Sequence, residues 1–208
     1  MERDAFLTRT RARLLGVEAP PLPVELPPTF ATGDGRLFDR FAEELGKVGG
    51  QALAVRTFEI ADRIAELAED CTTAVVAPGV GPFLARVEEG LRRAGCEPLE
   101  PSRDLAEAAR LGVTGAALGV ASTGSILLPM GPDSPRVASL LPPLHVALLD
   151  SERLVPGFEE LFSELPRSAA ERAQTVLITG PSRTGDIELQ LVRGVHGPVR
   201  VVVLVVST

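Results

Sequence analysis

The six-residue run Val201-Val202-Val203-Leu204-Val205-Val206 constrains the fold of this chain more than any other segment. A strand with apolar side chains pointing both ways must be covered on both faces, which is the position of an inner strand in a parallel sheet. Residues 52–55, 73–77, 144–149 and 175–179 offer further apolar runs of strand length. Between them lie helical stripes. Phe38, Phe41, Leu45 and Val48 fall on one face and are closed by Gly49-Gly50. Ile60, Ile64 and Leu67 mark a second helix, and Phe83, Leu84, Val87 and Leu91 a third that ends at Gly95. Residues 105–111, 158–165 and 186–192 read as further helices. Glu97-Pro98-Leu99-Glu100 reads as an edge strand, where proline is tolerated. This alternation predicts a single α/β domain over residues 33–208, an open, mostly parallel sheet with helices on both faces.

Residues 1–32 stand apart. Residues 3–16 predict a short helix ending at Gly16. Five prolines between Glu18 and Thr29 then predict an extended connector. The middle of the chain also breaks the pattern, because residues 113–121 and 125–128 are both apolar and are separated by Ser122-Thr123-Gly124. Two strands joined by a tight turn are expected there.

The chain has 208 residues and a formal charge of −7. That balance, with no Trp or Tyr for base stacking, argues against nucleic acid as a partner. Cys71 and Cys96 lack CxxC spacing, and the histidines are only His145 and His196. No metal site is expected from so sparse a set, and no iron–sulfur cluster held by this chain alone. Two reduced thiols, no apolar leader and no apolar run long enough to span a bilayer predict a cytoplasmic protein without membrane insertion. No cofactor loop is expected either: Walker and GxGxxG motifs are missing, and Gly79-Val80-Gly81-Pro82 lacks the third glycine.

Polar residues concentrate between positions 180 and 198. Gly180-Pro181 breaks a strand, and Ser182, Arg183 and Thr184 then precede the helix expected over residues 186–192. Free amides there favour an anion, at the carboxyl edge where open sheets bind ligands. Arg183 can fork a carboxylate or phosphate, with Ser182 and Thr184 as hydroxyl donors. The same spacing fits a structural role: Thr184 as helix cap, Asp186 and Glu188 complementing the dipole, and Arg183 paired with Asp186. His196, in a rigid turn before Gly197-Pro198, fits either a general acid–base or a turn residue bonded to backbone. His145 lies within an apolar strand and reads as a core histidine. Ser122, Thr123, Gly124 and Ser125 form a second polar island, read as a pocket lining or as a plain hairpin turn.

Taken together, three ungapped pieces resemble the LUD-domain family, the third component of the bacterial lactate-utilisation system. They are Ala121-Ser122-Thr123-Gly124-Ser125; Arg136 with Ser139-Leu140-Leu141-Pro142-Pro143-Leu144-His145-Val146; and Gly180-Pro181-Ser182-Arg183-Thr184 through Asp186-Ile187-Glu188 to Gly194-Val195-His196-Gly197-Pro198. The resemblance implies a fold like ribose-5-phosphate isomerase, glucosamine-6-phosphate deaminase and the CoA transferases. It also implies a part in oxidising L-lactate to pyruvate beside iron–sulfur partner subunits. The implied site comprises Ser122, Thr123, Gly124, Ser125, Arg136, Ser182, Arg183 and Thr184 around a small anionic ligand, with Asp186, Glu188 and His196 handling protons. Family members commonly carry an acidic residue where this chain has Ser122. That departure keeps open a non-catalytic assembly or regulatory subunit, and the implied fold an independent enzyme on a sugar phosphate or acyl-CoA.

Overall fold

The structure, a computed structural model, describes residues 3–16, 37–130, 136–164, 174–184, 192–193 and 197–208. The expected N-terminal helix is α1 (Arg3–Leu14), followed by Gly16 at a φ of 84°. The proline-rich connector lies outside the described residues.

The main unit runs α2 (Leu37–Lys47), β1 (Gln51–Arg56), α3 (Ile60–Leu67), β2 (Thr73–Val76), α4 (Leu84–Arg93), β3 (Glu97–Leu99), α5 (Arg103–Ala108) and β4 (Leu111–Ala116). There follow β5 (Leu118–Val120), β6 (Ser125–Met130), α6 (Val137–Leu140), β7 (Leu144–Asp150), β8 (Leu154–Val155), α7 (Phe158–Glu164) and β9 (Gln174–Ile178). The last strands are β10 (Arg183–Thr184), β11 (Val192–Arg193) and β12 (Arg200–Ser207).

Six strands form one parallel sheet in the order β1-β12-β7-β4-β2-β3. The valine run is β12, an inner strand with every residue from 201 to 206 buried. Alternation sends Val202, Leu204 and Val206 to a core with Ile60 and Ile64 of α3 and Val87 and Leu91 of α4. Val201, Val203 and Val205 enter a core on the opposite face with Phe41 and Leu45 of α2. At the β2 side of that face, Ala106 of α5 and Ala138 of α6 pack on Val75 and Ala77. Helices therefore cover both faces, as the apolar runs require. Pro98 sits in β3, at the sheet edge where the sequence placed it.

A second sheet, β8-β5-β6-β9, packs on the α2 face through Ile126 and Leu128. The apolar stretch 113–121 is thus two strands in two sheets. The chain leaves the parallel sheet at Ala117, whose amide donates to the Leu127 carbonyl at 2.8 Å. α5 is shorter than expected, because Leu111 already opens β4.

Candidate functional site

The hairpin turn between β5 and β6 is held by the Gly124 amide, which donates to the Val120 carbonyl at 2.9 Å. Gly124 has a φ of 64°, and a Cβ there would stand 2.2 Å from the Leu45 amide nitrogen. Only glycine lets the turn seat against the end of α2. Beside it the hydroxyls of Thr123, Ser125 and Thr179 form a series, with both oxygen–oxygen separations 2.7 Å. Ser125 is fully buried in the middle. Two of the three hydroxyl protons are used within the series, which leaves one for a further acceptor.

Thr179 carries this series to the 180–184 segment. Gly180, at a φ of 76°, lies against Val48, where a Cβ would approach Val48 Cγ2 to 2.8 Å. The Ser182 amide donates to the Pro198 carbonyl at 3.0 Å, and the Arg183 Nη2 donates to the Val48 carbonyl. Thr179, Gly180, Ser182, Gly197 and Ser139 border a cleft of about 270 Å³ whose apolar wall includes Leu140 and Val201. The Ser139 hydroxyl donates to the Arg136 carbonyl at 3.0 Å. Arg136 itself is exposed at the start of α6.

Two expectations are corrected here. Arg183 and Thr184 are strand β10, paired antiparallel with Val192 and Arg193 of β11, so Val192 does not end a helix; the rest of the helix expected over residues 186–192 lies outside the described residues. Nor does the cleft lie at the carboxyl edge. It borders Pro198 and Val201, at the amino end of β12, and the Val48 contact precedes β1. The reason is topological. The strand feeding this segment is β9, which belongs to the second sheet and runs antiparallel to β6, so the carboxyl-edge rule for parallel strands does not govern its loop.

The structure brings Thr123, Gly124 and Ser125 together with Thr179 and, through the cleft, with Ser182; Arg183 stands beside them at Val48, and neither it nor Arg136 is in the wall of the cleft. Ser122 stands apart from them. Its amide donates to the Pro156 carbonyl at 3.0 Å, and the residue does not border this cleft. Only the backbone of Thr184 is described. Asp186, Glu188 and His196 lie outside the described residues. Thr179 and Ser139 were missed as site residues. A threonine directly before Gly180-Pro181 was the available signal for the first; for Ser139 it was its place in the family-like piece that runs to Val146.

His145 is fully buried on β7, with Nε2 2.8 Å from the Thr114 hydroxyl oxygen and Nδ1 lacking a partner among the described residues. Burial pushes its pKa down to about 4, so the ring is neutral near pH 7. The unfolded chain takes up the proton first as pH falls below about 6.5. The fold therefore loses stability between about pH 6.5 and pH 4, by about 3 kcal/mol for this group, and no more below that. Urea unfolding across this range will show a flatter profile in His145→Gln than in the wild type; parallel profiles would refute the assignment. Cys71 and Cys96 are buried free thiols, their pKa values raised by burial, that of Cys96 to about 11. No three His, Cys, Asp or Glu side chains among the described residues converge as a metal site. No helix among them is long and apolar enough to cross a membrane.

An open parallel sheet with a smaller mixed sheet packed on one face, and a cleft bordered by serine and threonine residues between them, defines the class of domain. The sequence profile of the LUD domain matches residues 38–206, and the chain belongs to the LUD-domain family. A lactate utilization protein C of Deinococcus radiodurans is 30% identical over 90% of this chain and 86% of its own length. The protein of that name from Anoxybacillus flavithermus is 27% identical over 98% of this chain and 99% of its own. The match to the Halalkalibacterium halodurans protein of the same name is 40% identical but spans only 46% of that relative. The crystal structure of a DUF162 family protein from Deinococcus radiodurans superposes with a TM-score of 0.65 at 21% identity, over 83% of this chain and 97% of that one.

Proposed function

We propose that this chain is a cytoplasmic component of a lactate-utilisation system and that the cleft at the amino end of β12 binds a small carboxylate, L-lactate or pyruvate. The observation that carries the reading is the composition of the cleft, taken with the names of the relatives. Among the described residues it is bordered by Ser139, Thr179 and Ser182 and by no Asp or Glu. A volume of about 270 Å³ suits a ligand of few atoms. Arg183, exposed beside the cleft, spends one of its N–H groups on Val48, and no other partner of its fork stands among the described residues; the remaining N–H groups are the proposed contact for an anion. Asp186, Glu188 and His196 are the proposed proton-transfer groups, and Thr123 and Ser125 orient Thr179. Iron–sulfur subunits are the proposed partners, supplying the redox centres.

A specific ligand raises the unfolding midpoint by mass action. L-lactate and pyruvate are expected to do so, and methyl lactate, which keeps the hydroxyl but lacks the charge, is not. Equal shifts for the acid and its ester, or none for either acid, would remove the carboxylate from the account. A second reading, of a subunit that binds a ligand without turning it over, draws on Ser122. The residue standing where relatives commonly carry an acid is a serine and does not border the cleft.

A further inference from the structure

The two edges of the parallel sheet are built differently. β3 is three residues long and contains Glu97 and Pro98, a protected edge. β1 is twice as long and reads Gln51-Ala52-Leu53-Ala54-Val55-Arg56, with no proline and no charge before its last residue. Its one strand partner among the described residues is β12. The Arg56 amide identifies the open side: it donates to Glu59 Oε2 at 2.8 Å, away from β12. Backbone groups two residues apart point the same way in a strand, so the amides and carbonyls of Ala52 and Ala54 also face outward. Ala54 is exposed, and Phe58, just beyond the strand, is 58% exposed with the Arg56 guanidinium 4.3 Å from its ring centre.

We propose that β1 is a homodimer interface, pairing antiparallel with β1 of a second copy to make one continuous sheet. The segment is self-complementary. In the register that puts Ala52 opposite Ala54 of the other copy, both outward-facing pairs exchange their N–H and C=O groups, and Leu53 meets its own counterpart on the two-fold axis. Gln51 then lies opposite Val55, so no like charges oppose one another along the ladder. The Glu59 carboxylate occupies the Arg56 amide and ends the ladder there. The same register carries Phe58 toward the Val48–Gly49 turn of the other copy, which covers an aromatic ring that is otherwise exposed. It also brings the interface up to the Val48 carbonyl on which Arg183 rests.

The test joins light scattering to hydrogen exchange on the full-length chain. The wild type should have a dimer mass at micromolar concentration, with slow exchange of the Ala52 and Ala54 amides that speeds up on dilution. Ala54→Pro removes an outward N–H and no bond among the described residues, so this variant should be a folded monomer. A wild type that is monomeric throughout overturns the proposal. So does concentration-independent protection of these amides, which would mean that another part of the same chain covers the edge. If Ala54→Pro fails to fold, Ala54→Lys, which tolerates the monomer edge but opposes a second copy, decides on the same readouts. A dimer that survives both substitutions overturns it.

Discussion

Gly124→Ala will lower the stability of this protein by about 3 kcal/mol or more, the largest loss expected from adding a single methyl group at this site. Two costs combine. At a φ of 64° an alanine Cβ crowds its own carbonyl, for about 1–2 kcal/mol. The new carbon would also stand 2.2 Å from the amide nitrogen and 2.5 Å from the Cα of Leu45, backbone atoms that cannot rotate aside. The hairpin must therefore lift off α2, carrying Ser125 away from Thr179. Gly95, the residue that caps the end of α4, is the control. Its φ is 70°, but nothing lies within 4 Å of a Cβ there, so Gly95→Ala should cost only the backbone component. Equal losses for the two variants in urea unfolding would show that the turn does not seat on α2 as described.

Arg183→Ala will weaken the binding of L-lactate by about 10- to 100-fold, the range for one hydrogen bond between charged partners. Arg183→Lys should recover only part, since an ammonium cannot fork a carboxylate. Calorimetric titration reads both. An unchanged dissociation constant in Arg183→Ala, with the fold intact, would leave the guanidinium as no more than a clasp on the Val48 carbonyl.

Much of the fold is legible in the sequence because burial on two faces leaves an unambiguous pattern. The run 201–206 could only be an inner strand, and the stripe Phe38, Phe41, Leu45 and Val48 could only be a helix lying on it. What periodicity does not record is which sheet a strand joins. Residues 113–121 are apolar throughout, yet β4 lies in the parallel sheet and β5 in the other, and the change at Ala117 leaves no mark in hydropathy. The same blindness moved the site. With residues 175–179 read as a strand of the main sheet, the signature after them belonged at the carboxyl edge; as β9 of the second sheet, it arrives at the amino edge instead. The polar islands 122–125 and 180–184 were visible as islands, but their union through Thr179 depends on the pairing of Ile126 with Ile178.

The proposed function is tested most directly by growth. A strain of the native host lacking this gene should fail on L-lactate as sole carbon source and recover when the wild-type chain is supplied. Arg183→Ala, produced at the same level, should not restore growth. Normal growth of the deletion strain, or recovery with Arg183→Ala equal to that with the wild type, would contradict the assignment of this cleft to lactate utilisation.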